Sequence, residues 1–212
     1  MRALPFAFCL GVALASGAPA DARPVSYPGG WTLMQRNTAD YSSVHLHYSP
    51  THRESIGGYG EHNWEADFTF AGAQYNRLLR RWNAPRSQAN LYLNLGLGGA
   101  ESFDGADHSG AGFVGIAADW ETRRWFLSYS ARGYELGFDQ MAVQSARVGV
   151  APYVADFGDL HTWLMLDVQN DPEADATTTL TPLVRLFYGV QLLEVGYTPE
   201  TDRVMANWIV RF

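Results

Sequence analysis

Two histidines and a serine, Ser43, His45 and His47, alternate along one short stretch of the sequence. Alternate residues of a β-strand point to the same face, so these three side chains share one polar face, with the two imidazoles about 7 Å apart. Histidine is a common metal ligand, and a metal site needs a third ligand, for which His161 and Glu65 are conceivable. A pair of histidines hydrogen-bonded within a polar interior is the alternative, because an H-x-H pair alone is a weak signal.

Serine beside histidine is also the material of a hydrolase, in which the imidazole activates the hydroxyl. Ser43, His45 and Asp67 could supply a nucleophile, a base and an acid near a membrane surface. None of the three lies in a recognisable catalytic motif, and serine alternating with histidine follows from any polar strand face. The sequence therefore assigns no catalytic residue, no metal and no cofactor, and it favours a protein that is not an enzyme.

Charged residues of both signs recur on the strand faces that are predicted to point into the interior of the protein. Arg147 is predicted to lie directly opposite Asp167, and Arg185 diagonally beside Glu194, where arginine and carboxylate can pair. The other inward charges are predicted to be Glu65, Asp67, Asp119, Arg132 and Arg211. Two interpretations stay open: the charges pair to fill a narrow interior, or they line a small polar path.

Alternating apolar and polar residues predict an all-β chain of about twelve strands, or ten if the stretches before Trp64 merge. From Trp64, the pattern predicts a strand with Phe68 and Phe70 facing outward. Residues 76–88 break the alternation and predict a short amphipathic turn at a membrane edge. Charged residues are 17% of the chain and aromatic residues 14%, whereas about 25% charged is typical of soluble domains.

The last nine residues, Val204 to Phe212, alternate between an apolar face and a mixed face. This stretch resembles the C-terminal strand of bacterial outer-membrane β-barrels, which typically ends in phenylalanine and is read by the barrel-assembly machinery. The resemblance implies an antiparallel transmembrane β-barrel, with Trp208 and Phe212 as the assembly signal. It also implies outer-membrane lipid and lipopolysaccharide as surroundings.

Residues 1–22 have the features of a secretory signal peptide, with a basic start, a short apolar run and an A-x-A site at Ala20 to Ala22. Residues 23–30 then form a periplasmic leader, and 31–212 form the barrel. The protein is thus expected in the outer membrane of a Gram-negative bacterium, after cleavage. Its net charge of −7 argues against a nucleic-acid partner, and the oligomeric state is open.

Twelve strands are fewer than the roughly 16–18 of general porins, so any path through the barrel must be narrow. The function expected from the sequence is therefore structural, or a narrow channel for small solutes, without catalysis. The alternatives are an outer-membrane enzyme that acts on lipid, a soluble periplasmic β-barrel, and a metal-binding protein.

Overall fold

A computed structural model of the chain describes residues 24–156, 158–172 and 177–212. The described residues form twelve β-strands and contain no helix long and apolar enough to cross a membrane. The strands are β1 (Trp31–Asn37), β2 (Tyr41–Thr51), β3 (Glu54–Asn63), β4 (Phe68–Ala84), β5 (Ser87–Ser102), β6 (His108–Thr122), β7 (Trp125–Glu135), β8 (Gln140–Val150), β9 (His161–Asn170), β10 (Thr178–Tyr188), β11 (Gln191–Thr198) and β12 (Arg203–Arg211).

Each strand pairs antiparallel with the next, and β1 pairs with β12 from Thr32 opposite Arg211 to Asn37 opposite Ala206. The sheet is therefore a closed barrel, which leaves no edge strand open. The predicted twelve-stranded antiparallel barrel is confirmed, and the count of ten is wrong. Residues 1–22, the predicted signal peptide, lie outside the described residues, as does residue 23 of the predicted leader.

Large apolar side chains cover the outside of the barrel. On β5 they occupy alternate positions, and Leu97 is 77% exposed. More large apolar side chains are exposed than buried across the described residues, an inversion that a soluble protein does not tolerate. The barrel is thus a transmembrane barrel with lipid around it, as its outer apolar band requires.

The barrel has two ends. The terminal end carries the start of β1 and the end of β12. It also carries the turns at residues 52–53, 85–86, 123–124 and 189–190 and the connection between β8 and β9, and the loop end carries the other connections. Exposed aromatic side chains concentrate at the terminal end, where they form the girdle typical of a membrane interface: Trp31, Trp82, Trp120, Trp125, Tyr188 and Phe212.

The prediction of a turn over residues 76–88 is wrong. β4 runs on to Ala84, and β5 begins at Ser87, so a two-residue turn joins two long strands. A register shift between Leu78 and Arg80 marks a β-bulge, and the residues beyond it are exposed on both faces. The bulge and the loss of a buried face at the end of the strand explain why the alternation fails there.

The predicted facing of the start of β4 is also wrong. Residues 64–67 form a turn in which Asp67 has a left-handed φ of 52°, a conformation that aspartate tolerates better than most residues. The strand starts at Phe68, which pairs with Asn63, while Phe70 pairs with Glu61. Residues paired directly across a sheet share a face, so both phenylalanines point inward, and Asp67 is exposed.

Candidate functional site: the barrel lumen

One half of the lumen holds a charge cluster centred on Glu194. Arg147 lies 2.5 Å from Asp167 and 2.9 Å from Glu194, and the Nε of Arg185 donates to Glu194 over 2.7 Å. The Nδ2 of Asn207 donates to the second oxygen of Glu194 over 2.8 Å. Two arginines and two carboxylates thus neutralise each other where water is scarce, which buried charges require.

The strand register brings these residues together. Arg147 is opposite Asp167 across β8 and β9, and Arg185 is directly opposite Glu194 across β10 and β11. The predicted diagonal placement of Arg185 is therefore corrected. Tyr188 and Gln191 close the turn between β10 and β11, and each lies one residue further along the chain than the prediction assumed.

The other half of the lumen is filled by an aromatic cluster at the loop end. The guanidinium of Arg132 lies 4.2 Å from the ring centre of Phe113 and donates to the hydroxyls of Tyr59 and Tyr134. Both hydroxyls in turn donate to Glu61. The cluster is completed by Phe68, Phe70, Ala100, Ala111, Leu136 and Met141.

A glycine makes room for the aromatic cluster. A Cβ added to Gly96 on β5 would lie 2.2 Å from the Phe113 ring. The ring of Phe113 therefore lies against the bare backbone of the neighbouring strand, and any side chain at position 96 would displace it.

The terminal end is narrowed by residues 24–26, which fold against the inner wall. Val25 packs on Leu78 and Tyr92, both of which point into the lumen. The Ser55 hydroxyl donates to the carbonyl of Pro24 over 2.6 Å, which fixes this segment on β3. The segment predicted as a leader thus contributes side chains to the interior.

Between the aromatic cluster and the charge cluster lies a cavity of about 250 Å³. It extends from Pro24 near the terminal end to Thr38 and Gln169 near the loop end, and its wall is about equally polar and apolar. This volume holds several water molecules or one small solute.

The histidines proposed as metal ligands face the lumen. His45 and His47 are 5% and 0% exposed, and their ring centres are 4.4 Å apart. The Nε2 of His45 and both ring nitrogens of His47 have no hydrogen-bond partner among the described residues. His161 packs on Phe187 at the terminal end and Glu65 lies in the turn at the loop end. Within the described ranges, no group of three His, Cys, Asp or Glu residues could hold a metal ion.

The structure brings together the serine and the histidine proposed for catalysis, Ser43 and His45, but it does not place the proposed acid, Asp67, beside them. Ser43 and His45 are each 5% exposed inside the barrel, whereas Asp67 is exposed in a loop-end turn. A membrane lipid would reach neither Ser43 nor His45 from the outside of the wall. The geometry gives no support to a lipid-acting catalytic site.

The proposed assembly residues are on the outer face. Trp208 is 40% exposed and Phe212 is 61% exposed. The backbone amide and carbonyl of Phe212 bond with the carbonyl and amide of Trp31, so the C-terminal residue extends the pairing that closes the barrel.

No protein-family model and no curated protein matches the sequence. Among solved structures, a KdgM porin is 8% identical, with a TM-score of 0.48 over 86% of this chain and 98% of that chain. The same values of identity and TM-score hold for a KdgM porin in complex with disordered oligogalacturonate, over 86% of this chain and 96% of that chain.

A third structure, OccK8 (OprE) of Pseudomonas aeruginosa, is 7% identical, with a TM-score of 0.44 over 85% of this chain and 62% of that chain. Likeness at these levels supports no conclusion about what this chain binds or passes. The closed barrel is established by its own strand pairing.

A turn reaches across the mouth of the barrel at the loop end. Asp40, in the turn between β1 and β2, is 6% exposed and accepts a hydrogen bond from Gln169 of β9 on the far wall. The neighbouring carbonyl of Ala39 accepts hydrogen bonds from the Trp64 indole over 2.5 Å and from Arg203 over 3.0 Å. We name residues 38–40 the mouth turn, because these contacts hold it over the opening.

The pKa of the Asp40 carboxyl is raised to about 6, mainly by burial and also by the nearby carboxylates of Glu65 and Asp171. The hydrogen bond from Gln169 and the charge of Arg203 act in the opposite direction. The folded protein therefore binds a proton at Asp40 more tightly than the unfolded chain does. Stability from this group is present at low pH and is lost as pH rises through about 6.

We expect the free energy of unfolding to fall by about 1 kcal/mol between pH 5 and pH 7 through Asp40 alone. Urea titrations of the barrel in detergent at the two pH values would measure the change. The Asp40→Asn variant keeps the acceptor oxygen and should lose this part of the pH dependence, while Asp104→Asn, in an exposed loop, should keep it. An equal pH dependence in the wild type and in Asp40→Asn would contradict the assignment.

The sequence analysis left charged residues of the interior and of the mouth turn unassigned, among them Glu61, Arg36 and Asp40. Glu61 ends a glycine-rich stretch in which Ser55, Tyr59 and Glu61 share one face, and that alternation could have revealed it. Nothing in the sequence signals the burial of Asp40, because its neighbours come from three distant segments.

Proposed function

We propose that the chain is an outer-membrane β-barrel that acts without catalysis as a narrow channel for small solutes. The observation that carries this proposal is the cavity of about 250 Å³, lined by both polar and apolar groups, inside a closed barrel with an apolar exterior. A barrel that served only as a scaffold would need no open space between its two filled halves. The small volume limits passage to small solutes, in keeping with twelve strands.

The route to the membrane belongs to the same proposal. Residues 1–22 would be removed on secretion, and Trp208 and Phe212 would be read by the barrel-assembly machinery before the barrel meets lipopolysaccharide. Support comes from the terminal girdle and from the position of Phe212 at the seam of the barrel. The mass of the protein recovered from an outer-membrane fraction would test cleavage after Ala22.

Conductance in planar bilayers tests the channel. We expect small, stepwise currents from the wild-type barrel, because the aromatic cluster and the mouth turn leave only a narrow path. The Phe113→Ala variant removes the ring that contacts Tyr59, Phe70 and Tyr134 and should raise the conductance several-fold. It should also lower the free energy of unfolding by about 3 kcal/mol.

Phe126→Ala is the matched control, because Phe126 is also buried in the lumen but packs with Met165 and Leu183 instead of the aromatic cluster. Phe126→Ala should lower the free energy of unfolding by an amount similar to that of Phe113→Ala, but it should not raise the conductance comparably. The absence of stepwise current from the wild type and from Phe113→Ala, with both proteins folded, would refute the channel and leave a structural barrel.

A further inference from the structure

One wall of the lumen carries no carboxylate. The three neighbouring strands β12, β1 and β2 contain no aspartate or glutamate in their sequences. Their inward basic groups include Arg36, His45, His47 and Arg211. The inward carboxylates belong to other strands and include Glu61 on β3, Asp119 on β6, Asp167 on β9 and Glu194 on β11. The lumen is therefore electrically uneven, although the whole chain is acidic.

Arg36 differs from the other lumen arginines. Arg132 is held by two tyrosine hydroxyls, and Arg147 and Arg185 are held by Glu194. Arg36 lines the cavity, and no described side chain forms a hydrogen bond or an ion pair with its guanidinium. A guanidinium in a narrow lumen needs acceptors for its donors, and since no described residue supplies them, this position suits water or an anion.

Further polar groups without described partners surround Arg36. Ser43 is directly opposite Arg36 in the pairing of β1 with β2, and Tyr41 and His45 are the next inward residues on either side of Ser43. Neither hydroxyl is engaged by a described residue, and the Nε2 of the 5% exposed His45 is without a partner in the same ranges. All four side chains line the same cavity.

The charge around this group is positive. His45 interacts electrostatically with Arg36 and Arg132, and His47 interacts with Arg211. A metal cation would be repelled by these arginines. An anion would meet a guanidinium, two hydroxyl donors and an imidazole.

We propose that Arg36, Tyr41, Ser43 and His45 form a subsite for a small oxyanion, a carboxylate or a phosphate. The planar guanidinium can donate two parallel hydrogen bonds to such a group, and the hydroxyls of Ser43 and Tyr41 supply further donors. The cavity volume of about 250 Å³ restricts the ligand to a small solute. The subsite identifies small oxyanions as the solute class of the proposed channel. It rests on the proposed channel function only because the anion must reach the cavity from solution.

Binding is tested by NMR on the folded barrel in a detergent without phosphate. Sodium [¹³C]acetate and inorganic phosphate are titrated separately, and line broadening of the ¹³C or ³¹P signal reports binding. We expect at least one anion to bind to the wild type, and Arg36→Gln to weaken its binding by about tenfold, as loss of a charged hydrogen-bond donor does. Broadening by acetate alone supports a carboxylate subsite, and broadening by phosphate alone supports a phosphate subsite.

Arg86→Gln is the matched control, since it removes the same charge from an exposed terminal-end turn, and it should bind like the wild type. If Arg36→Gln does not fold, Ser43→Ala replaces it and should weaken binding several-fold. The proposal is overturned if neither anion binds to the wild type, or if the folded cavity variant binds as tightly as Arg86→Gln. Binding without any bilayer current would refute the channel and keep the subsite.

Discussion

Replacing Glu194 with glutamine is expected to lower the free energy of unfolding of the barrel by about 3 kcal/mol or more. Glu194 is 3% exposed and accepts hydrogen bonds from Arg147, Arg185 and Asn207. Glutamine keeps the shape but removes the charge, so Arg185 loses the carboxylate that its Nε contacts. Arg147 keeps Asp167. Urea titration, with the folded fraction read from a heat-modifiable gel band, would measure the loss.

Glu101→Gln is the matched control, because the Glu101 side chain is 60% exposed and its contact with His108 is 3.7 Å long. Exposed pairs contribute at most about 1 kcal/mol, so its urea midpoint should stay near that of the wild type. The double variant Arg185→Gln with Glu194→Gln should recover part of the loss, since it also removes the buried charge that Glu194 neutralised. Equal midpoints for Glu194→Gln and Glu101→Gln would show that the charge cluster does not stabilise the barrel.

Placing an arginine on the outer apolar band is expected to cost about 2–4 kcal/mol at the middle of the membrane and about 0–1 near its surface. Val114 lies midway along β6 and is 55% exposed, whereas Val204 is the second residue of β12 and is 64% exposed. Val114→Arg and Val204→Arg are therefore the same chemical change at two depths. Unfolding in lipid vesicles would give the two free energies.

This pair of variants also separates a membrane barrel from a soluble one. On a water-exposed surface both changes would fall within about 0.5 kcal/mol of the wild type, because both positions are already open to solvent. A large cost at Val114 together with a small cost at Val204 is expected only when lipid surrounds the wall. Equal small costs at both positions would overturn the transmembrane placement.

Alternation alone was enough to predict the strands that have lipid on one side. In β5 and β12, apolar residues occupy every second position, so the period of two assigns each side chain to a face. Charges on those inner faces could then be paired across strands, as for Arg147 and Asp167. The strand count followed because each connection carries turn residues.

The prediction failed where the lumen is as apolar as the lipid. Phe68 and Phe70 look like outward residues by composition, and only their pairing with Asn63 and Glu61 shows that they point inward. The alternation of β4 fails beyond Leu78, because the bulge there shifts the register and the protruding end buries neither face. In both cases the face depends on a neighbouring strand, which a local pattern does not contain.

The sequence by itself determined that this chain is a barrel of about twelve strands with an apolar outside and a charged inside, because strand periodicity is a local property. Only the tertiary structure decided how the lumen is filled. Closure of β1 on β12 joins β12, β1 and β2 into one wall without carboxylates, while Asp40 meets Gln169 from a strand more than a hundred residues away. Such contacts depend on the number of strands and their register around the whole barrel, and no stretch of sequence specifies them alone.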